Sequence, residues 1–149
     1  MQYRRFGRTD LKVPAVTFGG GWVGGVLIHG TEDTANAALD RAWAAGINWV
    51  DTAALYGNGV SETVIGQWLA GRADADRPRL STKFRIDPAA GDAAGQMRAS
   101  FEASLKRLGL DRVEVLIQHN HIGPPTSEAP ERCQWEPCPQ VLSSILKVH

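Results

Sequence analysis

Cysteine is nearly absent from this chain of 149 residues, which carries two, Cys133 and Cys138. That excludes a disulfide scaffold and makes a reducing, cytoplasmic location the expectation. Charge of one sign is absent as well. Sixteen Lys and Arg balance sixteen Asp and Glu, so no net field draws the chain toward nucleic acid or an anionic membrane. No apolar run approaches the roughly 18 residues of a membrane-spanning helix. The opening Met1-Gln2-Tyr3-Arg4-Arg5-Phe6-Gly7 has no apolar segment behind it to make a secretory signal. A metal centre is not expected either. Cys133 and Cys138 share a segment with His121 and His149, but the spacing is loose and prolines break it.

What is present is an ordinary globular composition, 43% hydrophobic and 21% charged, in a chain long enough for a packed core. Tyr3 to Phe6, a turn at Gly7-Arg8-Thr9-Asp10, and Leu11 to Phe18 read as a hairpin leading into a strand. Pro14 makes that hairpin peripheral. Ala35, Ala38, Leu39, Ala42 and Trp43 share one helical face, behind a cap at Thr31 or Asp33. Ile47 to Val50 is a short strand ending at Asp51. Ser61 is the expected cap of a second helix, with Glu62 near its positive end. Arg79 to Phe84 is a third strand between Pro78 and Pro88. A third helix runs from about Asp92 to Leu108 and ends at Gly109, and Val113 to Gln118 is a fourth strand. The alternation βαβαβαβ predicts a parallel sheet with right-handed crossovers, in either a barrel or an open doubly wound arrangement.

The polar residues that close these strands carry the chemistry. Asp51 ends the second strand, with Tyr56 in the loop behind it. Lys83 ends the third and His119 the fourth. Parallel α/β folds bind ligands at the carboxyl ends of their strands, so all four belong to one rim. A phenol titrates near pH 10 in water, and a neighbouring ammonium favours its ionised form. A carboxylate fixes the ammonium, and a histidine can hydrogen-bond a carbonyl. The set suits protonation of a carbonyl oxygen while hydride reaches carbon, and the hydride must come from a cofactor. Gly19, Gly21 and Gly24 spell G-x-G-x-x-G after a strand. Val26 to Gly30 intervene before any helical period, which argues against a dinucleotide fingerprint.

The run Gly46-Ile47-Asn48-Trp49-Val50-Asp51-Thr52-Ala53-Ala54-Leu55-Tyr56-Gly57, followed by Ser61-Glu62, resembles the signature of the aldo-keto reductases. Leu80-Ser81-Thr82-Lys83, Ser104 to Asp111, His119-Asn120 and the opening Arg5 to Pro14 resemble it too, in order. The resemblance implies a (β/α)8 TIM barrel, of which residues 1–123 supply about the first four βα units behind an N-terminal β-hairpin. It implies reduction of aldehydes or ketones with NADPH or NADH. Tyr56 would be the general acid, Lys83 and Asp51 would tune it, and His119 would orient the carbonyl. Gly21, Trp22, Asp51 and Asn120 would border the cofactor.

A full barrel of this kind takes about 250 residues. Residues 124–149, with five of the eight prolines and both cysteines, match none of the family's later phrases and are expected to form a poorly ordered tail. Most of the cofactor site is therefore expected to lie outside this chain. Self-association through open sheet edges is one expected result, and a catalytically silent fragment or binding protein of reductase ancestry is the alternative to an active enzyme.

Overall fold

The computed structural model describes residues 1–120. The tail expected at 124–149 lies outside them. A two-stranded antiparallel hairpin comes first, β1 (Tyr3–Arg5) and β2 (Lys12–Pro14), with Tyr3 opposite Pro14 and Arg5 opposite Lys12. A four-stranded parallel sheet follows, β3 (Phe18–Gly19), β4 (Trp49–Asp51), β5 (Arg79–Phe84) and β6 (Val115–Gln118), in the order β3-β4-β5-β6. Each strand lies beside its predecessor. A doubly wound sheet reverses its strand order at a switch point. This one does not among the described residues, which resolves the choice in favour of a barrel.

The crossovers are α1 (Val26–His29) with α2 (Glu32–Ala44), then α3 (Val60–Leu69), then α4 (Ala93–Leu108). Thr31 caps α2, its hydroxyl oxygen accepting from Thr34 N at 3.3 Å. Asp92 caps α4 by accepting from Gly95 N at 3.1 Å, and left-handed Gly109 ends it. The single turn α1 falls where no helical period was expected, because four residues are too few to show one.

Helix α3 corrects a second expectation. Ser61 is not its cap. The helix starts two residues earlier, at Val60 behind Gly59, without a side-chain cap. Gly57, Asn58 and Gly59 all have positive φ, 62°, 53° and 91°, so the left-handed turn that Gly and Asn tolerate delivers the chain into the helix. Ser61 is thereby carried inward. It is fully buried, and its hydroxyl shares a 2.9 Å hydrogen bond with that of Thr52.

Strand alternation divides the sheet's two faces. Val50 and Leu80 point to the helices and join Leu27, Ala35, Leu39, Ile65, Trp68, Leu69 and Leu108 in the main core. Phe84 continues that face into a smaller cluster with Ile86 and Met97. Trp49, Asp51, Ser81 and Lys83 lie on the opposite, inner face. Beneath the sheet, the Phe6 ring of the hairpin packs on Trp49 with centroids 5.8 Å apart, and Arg79 donates to Lys12 O at 2.9 Å.

Helices α3 and α4 meet at Gly66. A Cβ there would stand 2.9 Å from the backbone carbon of Leu108, and neither backbone can yield locally. Gly66→Ala is expected to destabilise the fold by about 1–3 kcal/mol through overpacking, read as a lowered urea midpoint with an unchanged slope.

Candidate active site

Four side chains from three strand ends and one loop converge at the carboxyl rim of the sheet. Asp51 is the last residue of β4, and β4 pairs with β5 so that Asp51 stands opposite Ser81. Two residues on, on the same face, is Lys83. Its ammonium donates to Asp51 Oδ2 at 2.6 Å, to Thr52 O at 2.8 Å and to the Tyr56 hydroxyl at 3.1 Å. With three acceptors the ammonium's hydrogens are all directed. The lysine side chain is 11% exposed and the aspartate 32%, so the pair sits just below the surface.

Tyr56 is half-buried, in the loop between β4 and the left-handed turn. Lys83 Nζ lies 4.6 Å from its ring centroid. His119, one residue beyond β6, is anchored by its backbone N–H to Phe84 O at 2.7 Å. Its ring meets that of Tyr56 edge-on, at 5.7 Å and 86°. Asp51, Tyr56, Lys83 and His119 therefore form one constellation, as the strand ends imply.

The four positions expected at the cofactor fare differently. Gly21 borders the site, since a Cβ on it would reach the Tyr56 ring at 3.2 Å. Asp51 is in the site but both carboxylate oxygens are engaged, Oδ2 by Lys83 and Oδ1 by the Ser81 hydroxyl at 2.6 Å. Trp22 is 64% exposed and tilted against His29 at 5.5 Å. Asn120 stands at the rim with its amide bridging the end of β5. Its Oδ1 accepts from Ile86 N at 3.0 Å and its Nδ2 donates to Ile86 O at 2.7 Å. In this structure Asn120 is a clasp between neighbouring strand ends. Among the described residues no group of three or more His, Cys, Asp or Glu is placed to hold a metal ion.

Sequence reasoning missed two supports of this site. Ser81 donates to Asp51 and accepts from Trp49 Nε1 at 3.1 Å. Its signal was its parity, two residues before Lys83 on the same strand face. Ser81→Ala leaves the buried indole N–H without its acceptor. A loss of about 1–3 kcal/mol is expected, with altered tryptophan emission as the accompanying readout.

The second support is Glu62, read from sequence as a partner of the helix terminus. It is fully buried and accepts from the Thr82 hydroxyl at 2.5 Å and from Arg107 Nε at 2.7 Å. The Arg107 guanidinium also covers Gly59, where a Cβ would meet its Cδ at 2.8 Å. The pair clamps the start of α3, just behind the Tyr56 loop, against α4 and β5.

The model of the Aldo/keto reductase family matches residues 15–133, and the chain belongs to that family. L-galactose dehydrogenase of Arabidopsis thaliana is 36% identical over 122 residues, covering 80% of this chain and 38% of its own. D-threo-aldose 1-dehydrogenase of a Pseudomonas species is 33% identical over 134 residues, covering 74% and 41%. An aldo-keto reductase of Bacillus halodurans, solved in its holo form, superposes with a TM-score of 0.70 at 25% identity, over 97% of this chain and 45% of that one. A thermostable aldo-keto reductase solved with the inhibitor epalrestat superposes with a TM-score of 0.73 at 26% identity, over 98% and 48%. The chain thus spans less than half the length of these relatives, and its fold is part of their (β/α)8 barrel.

Proposed function

We propose that the site reduces aldehydes or ketones to alcohols, with NADPH or NADH as the hydride donor. The observation that carries this reading is the Lys83 ammonium, held by Asp51 and Thr52 within 3.1 Å of the Tyr56 hydroxyl. The donor set itself calls for a cofactor. A phenol, an ammonium, a carboxylate and an imidazole move protons, and none of them carries hydride. Gly21 lies close against the Tyr56 ring, so no side chain at that position screens the acid, and the partly exposed Asp51 carboxylate belongs to the same site. Tyr56, Gly21 and Asp51 are the described residues that would line the reactive ring. Bound NADPH or NADH supplies the hydride that reaches the carbonyl carbon.

The chain's own residues handle the proton. The Tyr56 hydroxyl gives its proton to the carbonyl oxygen. Negative charge left on the phenol oxygen faces the Lys83 ammonium, whose position is fixed beforehand, so little reorganisation is needed as charge develops. Asp51 keeps Lys83 in place, and Ser81 keeps Asp51 in place. His119, edge-on to Tyr56, hydrogen-bonds the carbonyl oxygen and aims it at the phenol.

One observation favours the second reading, a catalytically silent or binding protein of reductase ancestry. The amide of Asn120, expected at the cofactor, is committed to Ile86. The two readings separate in one assay. Purified full-length chain is incubated with NADPH or NADH and a broad aldehyde and ketone panel, and absorbance at the reduced nicotinamide band is followed. Carbonyl-dependent oxidation supports the reductase. Absence of both turnover and nicotinamide binding across the panel would leave the silent protein. Sedimentation of the same sample reports whether the edges at β3 and β6 self-associate, β6 carrying Ile117 at 39% exposure.

A further inference from the structure

The opposite rim of the sheet holds a cavity that the reductase chemistry does not use. It has a volume of about 290 Å³ and opens where the chain enters β4, β5 and β6. Trp43, at the end of α2, and Pro78 form apolar wall. Three arginines line it, Arg77, Arg79 and Arg112, with Asn48 and the carboxylates of Asp74 and Glu114.

The charges there are poorly balanced. Arg77 has a side chain 13% exposed, yet its charge partner, Asp74 Oδ2, stands 3.5 Å away and is itself 77% exposed. Arg112, 64% exposed at the mouth, reaches the same oxygen at 3.7 Å and Asp111 at 3.9 Å. Glu114 Oε2 accepts from the backbone N–H of Leu80 at 2.7 Å, and among the described residues Glu114 forms no ion pair with these arginines. Arg79 is engaged by Lys12 O. A guanidinium stays charged in any protein setting, and a largely buried one needs close acceptors. Among the described residues Arg77 has only the long pairing to Asp74, and its guanidinium is otherwise left to the solvent of the cavity. In the same cavity Asn48 Oδ1 is buried with no hydrogen-bond partner among the described residues. Native interiors rarely leave such atoms unsatisfied.

We propose that this cavity binds a small oxyanion that also carries a hydroxyl group. The anion, a phosphate or a carboxylate, is gripped by Arg77 from within and by Arg112 at the mouth. Planar guanidinium forks suit either group. Asn48 Oδ1, closed to water in the unliganded cavity, is exposed by a small rotation of its side chain and accepts from the ligand's hydroxyl. Asp74, on the exposed lip, is displaced from its long pairings and turns to water. The site lies on the far side of the sheet from Tyr56, so the ligand is a second molecule and not the carbonyl substrate.

Calorimetric titration of the full chain tests this, with inorganic phosphate, glycerol phosphate and L-malate as separate probes and sodium chloride at matched ionic strength as the blank. One-to-one saturable binding of glycerol phosphate or malate is expected, and the probe that binds tells phosphate from carboxylate. Inorganic phosphate, whose only O–H groups sit on the gripped phosphorus itself, is expected to bind more weakly than glycerol phosphate. Arg77→Gln should weaken binding about tenfold or more and Arg112→Gln by less. Tyr56→Phe should leave it unchanged. Arg77 makes no short contact that the fold depends on, and matching thermal melts for Arg77→Gln and the parent verify that. Binding equally lost in Tyr56→Phe would place the anion at the catalytic rim and overturn the proposal. So would saturation unaffected by Arg77→Gln, or heats no different from the chloride blank up to about 10 mM probe, a range that covers millimolar affinity.

Discussion

Tyr56→Phe is expected to lower kcat/KM for carbonyl reduction by about 10²–10⁴-fold, the usual contribution of a positioned general acid. The substitution removes one oxygen and little else. The ring keeps its packing on Gly21 and its edge contact with His119, and Lys83 keeps Asp51 Oδ2 and Thr52 O as acceptors. Nicotinamide binding and the thermal melt should therefore stay near those of the parent while turnover collapses. The comparison is made under kcat/KM conditions with one aldehyde, alongside cofactor titration by fluorescence. A Phe variant within tenfold of the parent would remove Tyr56 from the role of acid. Catalysis would then rest on positioning and on His119.

The largest stability effect is expected at a residue that never touches the rim. Arg107→Met should destabilise the chain by about 3–5 kcal/mol, the range for breaking a buried ion pair from one side. Glu62 is fully buried, and losing Arg107 leaves its carboxylate with one described hydrogen bond, from Thr82. The reverse change is milder. Arg107 is 30% exposed, so water can reach its guanidinium after Glu62→Gln, and the amide still accepts from Thr82. Urea denaturation of the three proteins measures the asymmetry. Equal losses in both variants, or a loss below about 1 kcal/mol for Arg107→Met, would mean the pair is held no better than a surface bridge.

Elements bounded by strong local signals were legible in the sequence. Strand β5 is legible at its true limits because Pro78 and Pro88 bracket it. Helix α4 was read because Asp92 and Gly109 mark its ends. The rim followed from strand-end positions, since a parallel sheet has one carboxyl side. What escaped depended on tertiary context. Ser61 has a good cap's chemistry, but the left-handed run Gly57 to Gly59 starts the helix without it and turns the hydroxyl to Thr52. Asn120 follows His119 in the family phrase, yet its amide geometry is set by Ile86 across the sheet. Glu62, Thr82 and Arg107 are far apart in sequence and joined by the packing of α3 on α4 and β5. No periodicity records that meeting.

The hairpin beneath the sheet has a consequence for how the molecule responds to heat. Phe6 leans on Trp49, Trp49 Nε1 donates to Ser81, Ser81 donates to Asp51, and Asp51 holds Lys83. A column of contacts thus runs along the sheet's inner face from the hairpin to the reactive rim. Its lowest link is its weakest, for β1 and β2 are three residues each and largely exposed. Short exposed elements open at lower cost than a helix-backed core. Warming is therefore expected to fray the foot of the column while the helices still hold, so that the lysine loses its underpinning before the helical circular-dichroism signal falls.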